Sequence, residues 1–390
     1  MITAPLVLDR VNLNGATVRL ALSDGRIATI DPVTGPAGPD TATQTVIPLP
    51  VEAHVHLDKA FTIHRARADK PGLFGAIEAM GRDKPHWTPL DLRTRIEAGM
   101  QEAWAAGCRA IRSHIDWTEP AAPLAWDIAA EVAESWASRL PLIRTSLSGI
   151  DLLADPDYGP AIARRVAQDG QVLGAFIYRH ADLETRIPYV FDLAEAHGLR
   201  LDFHVDEGLD IDACGLDLIV AEATRRGTGD RVLCGHACSL SVRPDAGRAI
   251  DALARSGVAL TVMPTTNLYL QDMTPGRSPR LRGLAPAQEL WKAGVTVILG
   301  TDNVRDPFYP MGIHDPLESL RLAALAAHIA PGDWVDAITA TPARALGLDP
   351  QRLVVGAAAD FLLLPAPDVL SALARPGSAR TVIRGGVPQT

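Results

Sequence analysis

Four short apolar runs of this chain end in side chains able to hold a metal ion. His54-Val55-His56 closes TVIPLPVEAHVH, His204 lies in LRLDFHVDEG, His236 closes RVLCGH, and Asp302 closes GVTVILGTD. Alternate residues of an extended strand point the same way, so His54 and His56 can aim two imidazoles into one cavity. Imidazoles with a carboxylate suit zinc or iron(II), and three histidines with one aspartate leave a position for water. One such histidine would ordinarily be a hydrogen-bonded polar residue, but ligand chemistry at four run ends in one chain weakens that explanation for the set. Glu207 follows His204 by three residues, where a carboxylate can face the cavity without being a ligand and shuttle a proton; otherwise it is a surface acid of the loop EGLDID. His114-Ile115-Asp116 ends a further run, and His114 reads equally as a site contact or a core residue. His64, His86, His180, His197, His314 and His328 are expected to be solvated or loop residues.

The elements that must position these groups follow from the pattern. Eight apolar runs are predicted as strands: TVIPLP up to His54, then near 108–116, 140–147, 171–178, 199–206, 231–236, 257–264 and 294–302. Helical segments lie between them, punctuated as at Thr88-Pro89, which opens a segment closed by Gly107. Nearly continuous apolar strands alternating with helices predict an α/β fold, a (β/α)8 TIM-like barrel over residues 50–345, whose site lies at the C-terminal strand ends. Residues 1–31 alternate around Asn14-Gly15 and Asp24-Gly25, which suit tight hairpins. The tail runs GAAADFLLLP and ARTVIRGGVPQT are also strand-like. Residues 1–49 and 346–390 are therefore expected to form a small composite β-sandwich domain from both termini.

The 390 residues are 47% hydrophobic and 21% charged, as in ordinary globular chains. A net charge of −9 argues against a nucleic-acid or anionic membrane surface and favours small-molecule work. The start lacks a signal-like pattern, and the apolar run near 353–370 is broken by Asp360 and Asp368, so a cytoplasmic protein is expected. Cys108, Cys214, Cys234 and Cys238 contain no C-x-x-C pair and are expected to be free, buried thiols. Of 37 basic residues only Lys59, Lys70, Lys84 and Lys292 are lysine. Outer helices of such a barrel can pair, so a homo-oligomer stays open.

The stretches PVEAHVHLDKAFT, RLDFHVDEG, RVLCGHACSL and GTDNVRDPFYPMG together resemble the cytosine deaminase branch of the amidohydrolase superfamily. The resemblance implies one divalent metal ion, Zn or Fe, held by His54, His56, His204 and Asp302. It makes Glu207 the proton shuttle, Asp302 an acceptor of a proton from the attacking water, and His236 the group that orients or helps deprotonate that water. Metal-bound water loses a proton near neutrality, so the hydroxide can attack an amine-bearing ring carbon and release an exocyclic amino or alkylamino group. The partner implied is a small nitrogen heterocycle. Where cytosine deaminases carry a glutamine that reads the pyrimidine amide, this chain has Leu147 in RTSLSG, and the residue after the ligand aspartate is Asn303. Cytosine is therefore expected to be a poor substrate, with His114, Leu147, Tyr178, Arg179, Asn303, Phe308 and Tyr309 as contacts. Two rivals are weighed. A binuclear cyclic amidase of the dihydroorotase or hydantoinase type needs a carboxylated lysine after strand four, and QVLGAFIYRH has none. A non-catalytic metal-binding barrel would fit loss of Glu207 or Asp302, and both are present.

Overall fold

The computed structural model describes residues 6–33, 44–375, 377 and 379–389. Strands β1 (Leu6–Leu13), β2 (Ala16–Ser23), β3 (Arg26–Pro32) and β4 (Gln44–Ile47) open the chain. Eight follow with helices between them: β5 (Val51–Val55), β6 (Ala110–Asp116), β7 (Leu142–Gly149), β8 (Val172–Ile177), β9 (Leu201–Val205), β10 (Val232–His236), β11 (Ala259–Val262) and β12 (Val297–Leu299). Strands β13 (Phe361–Leu364), β14 (Thr381–Arg384) and β15 (Val387–Pro388) end it. β5 to β12 pair in sequence order and in parallel, and a parallel bridge between Val55 and Asp302 joins the first edge to the last. The fold is a (β/α)8 barrel, as the alternation of apolar runs predicts.

The remaining strands share one sheet in the order β15-β14-β13-β4-β1-β2-β3, so strands from both ends of the chain are neighbours. Asn14-Gly15 and Asp24-Gly25 have positive φ throughout, from 51° to 84°, and turn the two hairpins. Val11, Leu20, Ile27, Phe361 and Ile383 bury one face of this sheet together. The other side abuts the barrel. There Gly107, at φ 98°, ends the helix Pro89–Ala105, and a Cβ on it would lie 2.4 Å from Leu362 of β13.

One predicted strand divides. The run expected to continue from TVIPLP to His54 is two strands, because Pro48 and Pro50 lack the N–H a ladder needs. β4 pairs with β1 and β13, whereas β5 starts the barrel at Val51. Two further expectations are corrected. Cys214 is exposed beyond its strand end, while the other three cysteines are buried and all four are free. His314 is fully buried, close to Gly99 and Phe61, rather than solvated. No helix among the described residues is long and apolar enough to cross a membrane.

The barrel interior is layered. Val51, Ala53, Ala110, Leu233, Ala259 and Ile298 fill its floor, which Ala343 and Leu346 close from below. Above them the lining becomes polar, and the polar layer carries the site.

Candidate active site

β5 has an irregularity of register between Glu52 and Val55, so its upper half is re-aimed against β6 at the level of His54. Three imidazoles and a carboxylate converge there. His54 Nε2 lies 3.0 Å from His204 Nε2, and His204 Nε2 lies 3.2 Å from His56 Nε2. Asp302 Oδ1 lies 3.1 Å from His56 Nε2 and 3.7 Å from His54 Nε2. A tetrahedral site with bonds of about 2.0–2.1 Å sets its ligand atoms ~3.3 Å apart, close to these four separations; the ligand atoms of His54, His114 and His204, and those of His54, His236 and Asp302, also lie within 4.8 Å of one another. All four residues are buried. Burial, followed by the charges of neighbouring histidines, holds His54 and His204 well below the ordinary imidazole pKa. His56 is lowered to about 4 by burial and by Lys59. Neutral imidazoles are the form that binds metal. Burial raises the Asp302 carboxyl, but the hydrogen bond with His56 and the nearby histidine charges outweigh it and leave the pKa below normal.

His236 and Glu207 stand beside this set. His236 Nδ1 is 3.7 Å from Glu207 Oε1 and 3.1 Å from Asn267 Nδ2, and its Nε2 is buried without a protein partner. In the tautomer whose Nδ1 accepts from the Asn267 amide, Nε2 carries the N–H. Burial raises the Glu207 pKa. Asp206, His236 and Asp302 have φ of 50°, 72° and 62°, an unfavourable backbone for non-glycine residues that is concentrated at these strand ends.

Of the groups below the proposed metal ligands, the sequence singled out only His114. Glu52 Oε1 accepts from the backbone N–H of His54 at 3.1 Å and of Thr301 at 3.3 Å, bracing the two strand ends that carry His54 and Asp302. Burial pushes the Glu52 pKa up to about 8. His114 stacks on His54, with ring centroids 4.0 Å apart, and its Nε2 is 3.2 Å from Asp202 Oδ2, which also accepts from Arg112 at 2.8 Å. The signal was present as charge at every second residue: Glu52-x-His54-x-His56, Arg112-x-His114-x-Asp116 and Asp202-x-His204-x-Asp206. Gly235 of β10 makes room for the His54 ring, because a Cβ there would lie 2.9 Å from His54 Cε1.

The expected contacts lie around the rim. Leu147 is half-buried near the top of β7, in register with Asp116 of β6. Asn303 donates its amide to Asp306 Oδ2 at 2.6 Å, and the Asp306 Oδ1 accepts from the backbone of Phe308 and Tyr309. Phe308 is buried with Ala76 and Met80 of the helix Gly72–Asp83, which caps this side. From that helix the exposed Phe74 reaches Tyr178, ring centroids 5.4 Å apart. Arg179 points outward and pairs with Asp210. The sequence also left unmarked Lys59, whose ammonium is buried 2.8 Å from Asp116 Oδ1, and Lys84, 2.7 Å from Asp116 Oδ2.

Comparison with known proteins agrees with this geometry. The amidohydrolase family matches residues 65–388. Pterin deaminase of Rhizobium rhizogenes is 35% identical over 94% of this chain and 86% of its own length. The 5-methylthioadenosine/S-adenosylhomocysteine deaminase of Natronomonas pharaonis is 29% identical over 87% of this chain and 80% of its own. Among solved structures, 5-methylcytosine deaminase from Klebsiella pneumoniae superposes with a TM-score of 0.85 at 27% identity, covering 98% of this chain and 96% of that one. The chain therefore belongs to the amidohydrolase family and is a hydrolase of carbon–nitrogen bonds other than peptide bonds.

Proposed function

We propose that this protein is a metal-dependent deaminase that removes an exocyclic amino or alkylamino group from a small nitrogen heterocycle. The observation carrying this reading is Glu207, a buried carboxyl with a raised pKa that lies 3.7 Å from His236 beside the set of His54, His56, His204 and Asp302. His54, His56, His204 and Asp302 would hold one divalent ion, zinc or iron. Such an ion acts as a Lewis acid and acidifies a bound water.

The protein's own groups supply the rest. Glu207 carries a proton to the ring nitrogen next to the amine-bearing carbon, which makes that carbon electrophilic. Asp302 takes a proton from the reacting water, and His236, through Nε2–H, orients that water with a hydrogen bond. The departing nitrogen needs one more proton, which Glu207 can relay. His114 serves this site from beneath, through its stacking on His54, whereas Leu147, Tyr178, Asn303 and Phe308 would line the ring's outer edge. Four unpaired cysteines fit work in a reducing cytoplasm. The grouping of residues 1–49 and 346–390 into one domain is likewise proposed, on the support of the sheet shared by β1–β4 and β13–β15.

The test is an ammonia- and amine-release screen over aminopyrimidines, aminopurines, pterins and aminotriazines with metal-loaded protein. Release from at least one class is expected. Hydrolysis of cyclic amides with no amine release from any of these rings would replace the deaminase reading with a cyclic amidase.

A further inference from the structure

We propose that Lys59 reads a ring carbonyl oxygen of the substrate, and that Asp116 and Lys84 are the residues that position it; the proposal rests on the deaminase reading above. The first observation is compositional. Among 37 basic residues only four are lysine, yet two of those four converge on a single carboxylate. Lys59 Nζ is 2.8 Å from Asp116 Oδ1, and Lys84 Nζ is 2.7 Å from Asp116 Oδ2.

The second observation is what Lys59 leaves unused. Its side chain is 5% exposed, and its ammonium has three donors. Asp116 takes one, and the face of Phe308, with its centroid 5.0 Å away, attracts the charge without using a lone pair. Arginine at this position would lay a planar fork across the carboxylate and spend its donors there. A lysine keeps N–H groups free for a further acceptor. Lys84 shares Asp116, but the charges of Asp58 and Asp306 are also felt at Lys59, so its remaining N–H groups suit a neutral carbonyl oxygen rather than a further carboxylate.

The third observation is place. Lys59 follows the ligand His56 by three residues, and its charge is felt at both His56 and Glu207. Asp116 lies in register with Leu147, the apolar residue standing where a polar reader is expected. Lys59 thus supplies, from the turn after β5 and across β6 from Leu147, the donor that Leu147 cannot. The chemical class selected is an amino heterocycle that also carries a ring oxo group, rather than one with a bare ring edge.

A site built to hydrogen-bond a substrate group rejects analogues lacking it by large factors. The experiment compares kcat/KM for matched pairs in full-length, metal-loaded enzyme: 2-amino-4-oxopteridine against 2-aminopteridine, and 4-amino-2-oxopyrimidine against 4-aminopyrimidine. The wild type is expected to favour the oxo member of at least one pair by roughly 100-fold or more. Lys59→Met should retain metal by elemental analysis and shrink that ratio at least tenfold, with the loss falling on the oxo compound. Lys84→Gln, a change at the half-exposed end of the cluster, should shrink it severalfold, mainly through KM. A wild type indifferent to the oxo group, or a Lys59→Met or Lys84→Gln enzyme with an unchanged ratio, overturns the proposal. Amine release from no ring at all would instead bring down the deaminase reading on which it rests.

Discussion

Burial keeps the Glu207 pKa above that of a surface glutamate, so the residue holds its proton further toward neutral pH. A proton donor works only while protonated, so kcat should fall as pH rises through this raised value, and Glu207→Gln should lack that limb. The same variant is expected to keep its metal while losing on the order of 10² or more in turnover, because an amide cannot deliver the proton. His204→Ala should lose the metal itself, and elemental analysis beside kcat separates the two effects. Normal turnover in Glu207→Gln would end its role as the shuttle. A second expectation concerns Gly235, where a Cβ would meet the His54 ring at 2.9 Å. Gly235→Ala should therefore tilt that ligand and weaken metal binding by about 10-fold or more, read by competition with a chelator. The proposed ligands could be picked out because their types are rare at strand ends. Glu52, Arg112 and Asp202 were equally visible as charges inside apolar runs, but their meaning depends on facing inward, which the strand register decides. Lys59 was hidden differently, since its partner Asp116 is on another strand and no local pattern links the two.

At the level of elements, eight apolar runs were enough to anticipate the barrel, because parallel strands covered on both faces need no alternation. The boundary at Pro48 and Pro50 was missed because residues on both sides are apolar, and only pairing distinguishes β4 from β5. Nor could spacing foresee that the helix Gly72–Asp83 would cap the rim through Phe74 and Tyr178. β4 lies between β1 and β13, so each half of the small sheet covers an edge of the other. Removing residues 346–390 bares Val46, and removing residues 1–49 bares Phe361, and either cut leaves an unpaired strand edge. Either truncation is expected to give insoluble or unstable protein, measured as soluble yield and thermal midpoint. A soluble, active fragment of residues 50–345 would show that the barrel stands alone.

For the whole molecule, the convergence of His54, His56, His204 and Asp302 on one place predicts one tightly held divalent ion per chain. No lysine stands at the end of β8 to bridge a second. Elemental analysis of protein purified without added metal checks this, and two stoichiometric ions would refute it. The shared sheet has a further consequence, in time rather than space. β4 is made before residue 50, but its neighbour β13 starts at Phe361, so more than 300 residues separate the two halves of one sheet. At ~5–20 residues per second on the ribosome, the first strands wait about 15–60 s for their partner. During that interval the amino-terminal meander has an open edge, and the barrel is translated behind it. Until its last thirty residues emerge, a nascent chain of this design therefore presents an unpaired strand edge of the kind that invites aggregation.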